Sequence, residues 1–272
     1  MAAAMGVEVV ALAMTQPFTA ARARNAGLAA LAVDPPDLVQ LTDGDCEVVA
    51  GWVATAAAFL VAHPAVAVVC GRRRERFPEA SVYNRLCDRE WDTPVGPAPA
   101  CGGDALMRYA AVMAVGGYRD SLIAGEEPEL CLRLARAGGS VWRLDAEMTR
   151  HDAAIVRFGQ WWQRTRRAGH AFAEGAALHG KGPEGHWVVE TRRALFWGAG
   201  VPLLAGLLAL WHPLGVLVLL VWPVQVLRLA RRDGDLAGAS FNVLGKLAEA
   251  QGVLGYWLGR LTGRRRKLIE YK

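Results

Sequence analysis

The sequence predicts an α/β fold, a mixed and mostly parallel sheet, followed by an α-helical membrane-associated segment. Three observations carry this. The first half alternates short apolar runs of strand type with helical patterns. One of those strands runs into Asp43-Gly44-Asp45, and α/β sheets place their sites at the carboxyl ends of strands. From Ala194 to Leu227, 34 residues pass without one Asp, Glu, Lys or Arg.

Taken in order, Val7 to Leu12 reads as a strand, and Ala20 to Val33 as an alanine-rich helix closed by Asp34-Pro35-Pro36. Leu38 to Leu41 reads as a second strand. A helical pattern from Val48 to Ala62 stops at His63-Pro64, and Val66 to Val69 is a third strand. Strand, helix, strand, helix, strand implies parallel crossovers. Further on, a helix is expected over Ser81 to Trp91 and a loop over Thr93 to Gly103. Glu126-Glu127-Pro128 opens another helix that Gly138-Gly139 closes, because Pro suits a first turn and Gly a stop. The strand Ser140 to Leu144 follows, then His151.

A bilayer core of ~30 Å needs roughly 20 helical residues per crossing, so the uncharged run is long for one span and short for two. A tight helical hairpin, interrupted at Trp211-His212-Pro213, fits it. Arg192 and Arg193 precede the hairpin, and Arg228, Arg231 and Arg232 follow it. The positive-inside rule then keeps both ends in the cytoplasm. From Phe241 to Leu261, apolar residues recur at helical spacing, as in an amphipathic helix lying on a membrane surface. The expected organisation is an α/β domain over 1–175, a linker over 176–193, the hairpin over 194–230, and the interfacial helix with a basic tail over 236–272.

Charge and cysteine content exclude two classes. The net charge is +5, and the tail from Arg260 to Lys272, with six basic residues and one acid, accounts for all of it. The remainder is neutral, which argues against a nucleic-acid-binding face and leaves the tail as a membrane anchor. Five widely spaced cysteines without a C-x-x-C pair fit reduced thiols, not a disulfide framework or a structural zinc site.

Two carboxylates one residue apart at a strand end, Asp43 and Asp45, suit a hard divalent cation, and Asp and Gly equally suit a plain turn. His151 adds an imidazole as a candidate third ligand. In Gly125-Glu126-Glu127-Pro128-Glu129 the acids complement a helix dipole, or one of them serves as a general base. The arginines and tryptophans of Gln160-Trp161-Trp162-Gln163-Arg164-Thr165-Arg166-Arg167 suit an interfacial helix or, equally, a diphosphate and a sugar ring.

The order of these segments is informative. Ala20 to Gly27 with its Arg24-Asn25, the strand ending in Asp43-Gly44-Asp45, Cys101-Gly102-Gly103-Asp104, Gly116-Gly117-Tyr118 and Gly125-Glu126-Glu127 with Gly138 together resemble a family 2 glycosyltransferase of GT-A (Rossmann-like) fold, over about residues 7 to 175. The resemblance implies that Asp43 and Asp45 are a D-x-D pair. Asp45 is then the chief metal ligand and Asp43 lies nearer the ribose and diphosphate. It places Arg24 and Asn25 on the nucleotide side, Gly102 and Gly103 beneath the donor sugar, and Asp104 at the sugar or acceptor. Glu126-Glu127 stands where the family has Glu-Asp, so either Glu126 or Glu127 is the base. Gln160 and Arg164 form a loose version of the family's Gln-x-x-Arg-Trp motif, with the Trp absent.

By the same resemblance, the chain begins near the family's third strand and lacks roughly one βαβ unit of about 30 or more residues. The expected function is an inverting, metal-assisted glycosyltransferase at the cytoplasmic membrane, with its catalytic domain on the cytoplasmic side. Its implied cofactor is a divalent metal, Mg or Mn. Its implied partners are a nucleotide-sugar donor, a lipid-linked or saccharide acceptor, and membrane lipids, with no nucleic acid. The alternative is a non-catalytic membrane-bound remnant that binds a partner or glycan.

Overall fold

The computed structural model describes residues 6–13 and 15–263. It divides into two compact units: the chain up to Ala80 joined by Cys87–Ala154, and Ser81–Leu86 with the chain from Ile155 on.

The first unit is built on a mixed sheet. Its elements are α1 (Ala20–Ala30), β1 (Leu38–Leu41), β2 (Cys46–Val48), α2 (Trp52–Ala62), β3 (Val66–Glu75), the end of α3 (Val82–Glu90) from Cys87 on, β4 (Gly96–Pro97), β5 (Ala105–Arg108), α4 (Tyr109–Ala114), α5 (Glu126–Arg136) and β6 (Ser140–His151). The strand order is β1-β5-β3-β6-β2, with β4 also on β6. β3 and β6 pair in parallel, Val66 opposite Ser140 and Glu75 opposite His151. β5 runs antiparallel to both β1 and β3. β2 and β4 run antiparallel to β6.

Two expectations need correction here. β1 and β3 point the same way but are not neighbours, since β5 is inserted between them. Direct parallel crossover pairing is therefore absent from this part of the sheet, and among the described pairings only β3–β6 is parallel, so the sheet is mixed but not mostly parallel. Val7 to Leu12 is not a strand: no ladder of the sheet reaches it, and Val7 and Val9 stand 53% and 72% exposed. An apolar run becomes a strand only where a neighbour takes up its backbone groups.

The strands and helices expected elsewhere form, with shifted ends. Val68, Val69, Leu106 and Met107 from the central strands, Leu28 of α1, Trp52 and Leu60 of α2, and Leu130 and Leu134 of α5 make one buried core. Thr19 caps α1 by accepting the Arg22 N–H at 3.1 Å, and its hydroxyl donates to the Asp120 carbonyl at 2.8 Å. α5 is pinned by Glu129, only 1% exposed, which takes a bidentate fork from Arg133. Arg133 also donates to the Val115 and Gly117 carbonyls, so a buried acid, a cation and two backbone acceptors satisfy one another.

The second unit is helical. α6 (Phe158–His179) packs along α10 (Leu236–Leu261). Between them in sequence come α7 (Val188–Leu195), a π-turn over Phe196–Gly200, α8 (Val201–Trp211), a 3-10 stretch over Pro213–Leu220 and α9 (Val221–Asp233). The close approach of α6 and α10 rests on small residues. A Cβ on Gly252 would overlap the Arg166 carbonyl oxygen, and one on Gly169 the Glu249 carbonyl oxygen. Val188–Trp211 and Pro213–Asp233 are each long and apolar enough to cross a membrane by length and composition. Leu203, Leu207, Leu210, Leu214 and Leu217 on them are at least half exposed. The basic tail Arg264–Lys267 lies outside the described residues.

Candidate active site

The turn after β1 carries Asp43 and Asp45 and is closed by the Cys46 N–H donating to the Asp43 carbonyl at 3.1 Å. α1 delivers Arg24, β3 delivers Arg73, the start of β5 is preceded by Asp104, and α5 opens with Glu126 and Glu127. These side chains form one continuous chain of charge. Glu126 Oε1 meets Arg24 Nη1 at 2.8 Å, and Arg24 Nη2 meets Asp43 Oδ1 at 2.6 Å. Asp43 Oδ2 lies 3.5 Å from Arg73 Nη2, which pairs with Asp104 Oδ2 at 2.7 Å. Both oxygens of Asp43 are thus engaged by arginines.

Asp104 is fully buried and saturated. Its Oδ1 accepts the Asp43 backbone N–H at 2.9 Å and its Oδ2 the Thr149 hydroxyl at 2.8 Å, besides the Arg73 ion pair. A buried pair broken from one side costs about 3–5 kcal/mol, so Asp104 holds the frame that aims Asp43 and Arg73. Burial by itself would lower the affinity of Arg73 for its proton. The surrounding Asp104, Cys46 and Asp43 outweigh that and hold its pKa above the ordinary value. Arg24 behaves alike: burial pulls its pKa down, while Tyr118, Asp43 and Glu126 push it up further. Both guanidiniums therefore stay charged. Each also stacks on a ring, Arg24 over Tyr118 at 5.3 Å and Arg73 over Trp91 at 5.5 Å.

Gly103 explains the close packing of this chain. It sits at φ +92°, and a Cβ there would come within 2.9 Å of Arg73 Nη2 and 3.3 Å of Asp43 Oδ2. Gly102 precedes it at φ +80°. Asn25 is turned away from the acids: its amide donates to the Tyr118 carbonyl and to Asp120, each at 2.7 Å, and its carbonyl accepts the Tyr118 N–H at 2.8 Å. It fastens α1 to the Gly116-Gly117-Tyr118 turn.

Asp45 Oδ1 and His151 Nε2 lie 3.3 Å apart, with Cys46 close enough that one ligand atom from each of the three falls within 4.8 Å of the others. His151 ends β6, 6% exposed, with Trp91 edge-on at 4.8 Å and buried Glu75 4.0 Å from its other nitrogen. Together they present a carboxylate, a thiol and an imidazole, a donor set that could hold a divalent cation.

Glu127 faces the other way, toward thiols. Its Oε1 accepts the Cys101 backbone N–H at 2.5 Å, the Cys101 thiol at 2.9 Å and the Cys131 thiol at 3.1 Å. All these bonds fall on Oε1, and among the described residues Oε2 receives none. Burial holds the Cys101 thiol far above its ordinary pKa, so it remains a donor.

Gln160 and Arg164 belong to the second unit, on α6. Gln160 Oε1 accepts the Val156 and Arg157 N–H groups at 3.0 Å and so caps its own helix. Arg73, Thr149, Glu75 and Trp91 are members of the site that sequence reading passed over, and Cys101 entered it only as the first residue of Cys101-Gly102-Gly103-Asp104, with no role of its own. The run Arg72-Arg73-Arg74 at the end of an apolar strand was the one signal for any of them.

Among solved structures, a mannosyltransferase from Pyrobaculum calidifontis in complex with GDP-Man and Mn2+ matches at TM-score 0.50 and 19% identity, over 92% of this chain and 68% of that one. The fold resembles the GT-A glycosyltransferase fold. TarS 1-349 of S. aureus in complex with UDP-GlcNAc is also similar, at TM-score 0.43 and 12% identity over 92% of this chain and 75% of that one. GalNAc-T7 with UDP, GalNAc and Mn2+ follows at TM-score 0.37 and 13% identity, over 64% of this chain and 40% of that one. No family model matches the chain, and no curated protein matches it. Within the GT-A-like sheet, the acids lie where strands and helix starts converge, the usual place for a ligand in an α/β fold.

Proposed function

We propose that the protein is a membrane-associated, inverting glycosyltransferase of family 2 type, moving a sugar from a nucleotide-sugar donor to the hydroxyl of a lipid-linked or saccharide acceptor. The observation that carries this is the charge chain Glu126–Arg24–Asp43–Arg73–Asp104 beside the Asp45–His151 pair. It combines fixed cations for phosphate oxygens with carboxylates for a metal and for a proton, on a fold like that of nucleotide-sugar enzymes.

Asp45 and His151 would hold the divalent metal, with Asp43 at its edge. Bound there, the metal would neutralise charge on the diphosphate leaving group. Arg24 and Arg73, both permanently charged, supply the chain's own share of that stabilisation. Asp43, held between them, is oriented toward the ribose and diphosphate, and Asn25 keeps α1 in place on the nucleotide side. Gly102 and Gly103 leave room beneath the donor sugar. Glu127 is the general base: its Oε1 is fixed by three donors and Oε2 takes the acceptor proton. Glu126 is committed to Arg24 and acts as its anchor. Gln160 and Arg164 enter no step here.

The exposed apolar helices Val188–Trp211 and Pro213–Asp233 support a membrane hairpin, and the flanking arginines support a cytoplasmic-membrane location with the catalytic unit on the cytoplasmic side. The test is transfer from a panel of nucleotide sugars by membranes carrying the full chain, with and without Mn2+ or Mg2+. Asp45→Ala is expected to lose at least about 100-fold in metal-dependent transfer. Wild-type transfer by that variant sinks the mechanism. Donor binding without transfer by any chain would assign the non-catalytic, glycan- or partner-binding role instead.

A further inference from the structure

The second unit contains a cleft of about 620 Å³ that the proposed chemistry does not use. It is lined by Arg193, Trp197, Gln225, Arg228, Arg232 and Lys246, and no acid lines it. Two of the four cations already have partners, Arg232 with Asp233 at 2.7 Å and Lys246 with Glu249 at 2.8 Å. Arg193 and Arg228 have no acidic partner among the described residues. The cleft therefore carries two uncompensated positive charges, alongside the side-chain amide of Gln225 as a further donor.

Its position says which anion would fill it. Arg193 lies near the start of one apolar helix and Arg228 near the end of the next, so both mark the same end of the hairpin. At ~1.5 Å per residue, Arg193 stands about 27 Å along the helix from the Trp211 turn. That is close to the ~30 Å of a hydrocarbon core. Trp197, whose carbonyl accepts the Trp222 indole N–H at 3.3 Å, sits at the same end, where aromatic rings prefer the headgroup layer. Below the cleft, the exposed leucines of the helices offer a surface for acyl chains.

We infer that this cleft binds the phosphate headgroup of an anionic glycerophospholipid. Arg193 and Arg228 take the phosphate oxygens, and the indole of Trp197 lies against the glycerol. The inference rests on the membrane-hairpin reading above. Basic pockets among membrane helices are a recurring means of holding such headgroups.

The experiment uses the full chain in detergent, equilibrated with equal amounts of phosphatidylglycerol and phosphatidylcholine, then delipidated, with retained lipid counted by native mass spectrometry. Gln replaces Arg264, Arg265, Arg266 and Lys267 in every protein compared, which removes the tail's own attraction for anionic lipid. With the cleft intact, the chain is expected to retain phosphatidylglycerol over phosphatidylcholine by about tenfold, and Arg193→Gln/Arg228→Gln to lose that preference. Arg228→Lys should keep most of it. Both arginines are exposed, so the substitutions spare the packing. Equal retention of the two lipids by the chain with its cleft intact, or an unchanged preference in the Arg193→Gln/Arg228→Gln variant, overturns the inference. So does release of the lipid by millimolar inorganic phosphate, which would make this a site for soluble phosphate. Flotation with phosphatidylcholine vesicles separates the levels: a chain that fails to float refutes the membrane reading itself. A chain that floats without lipid preference refutes the cleft alone.

Discussion

Arg24 holds two carboxylates with two different nitrogens, and that single side chain sorts the acids of the site. Glu126 is spent on it, whereas Glu127 keeps an oxygen without a bond among the described residues. Removing the proposed base while keeping its shape should therefore damage turnover more than binding. Glu127→Gln is expected to lower kcat by about 10²–10⁴ with the donor KM nearly unchanged. Steady-state kinetics with the donor varied decide this, and a larger loss for Glu126→Gln in kcat alone would move the base to Glu126. At this scale the sequence was partly legible. Asp43, Asp45 and the Glu126-Glu127 pair announce themselves because acids clustered at a turn or a helix start are local patterns. Arg73, Thr149 and Cys101 do not, because what gives them a role is a partner brought in by tertiary pairing: Asp104 for the first two, Glu127 for the third.

Among the elements, α5 could be read from the chain because its opening acids and its glycine stop are written within a few residues, whereas only Ser140 to Leu144 of β6 was expected as strand and α6 was one of two readings of Gln160 to Arg167. The insertion of β5 between β1 and β3 could not be read, since strand neighbours are chosen by pairing across the fold and not by local composition. α10 carries two apolar faces: Val243, Ala248, Ala250, Val253 and Tyr256 are buried within the helical unit, while Leu244, Leu254, Trp257, Leu258 and Leu261 stay exposed. Its glycines let it approach α6, and Gly252→Val should force the two helices apart. The expected cost is about 1–3 kcal/mol from overpacking, seen as a lower melting temperature for the second unit, with Gly255→Ala as the control in open space. Equal melting of the two variants would show that the close approach contributes nothing.

The whole molecule combines an acidic, arginine-threaded sheet unit with a helical unit whose apolar helices are exposed, and its pH response should come from the first. Among its buried thiols, the bond from Cys101 pulls the pKa of Cys131 down, but burial and the Glu127 carboxylate outweigh it and leave it pushed up to about 11. Burial likewise pushes Cys70 and Cys101 well above the ordinary thiol value of 9.0. A raised folded-state pKa on an acid means that the fold binds the proton more tightly than the unfolded chain does. The stabilisation is complete below about pH 9 and is lost as pH rises toward 11 and beyond. Urea midpoints of the first unit should fall across that interval, and a flat profile would contradict the burial of these thiols.

The Cys101 and Cys131 sulfurs, 3.7 Å apart against Glu127, also give the protein a reporter of its own breathing. Neither can meet a bulky thiol reagent while the N-terminal turn of α5 stays docked, so their labelling at neutral pH proceeds only through transient opening. The ratio of that rate to the rate in the unfolded chain gives the free energy of opening around Glu127. Slower labelling on addition of a nucleotide sugar would measure how firmly the donor closes the site, without a turnover assay.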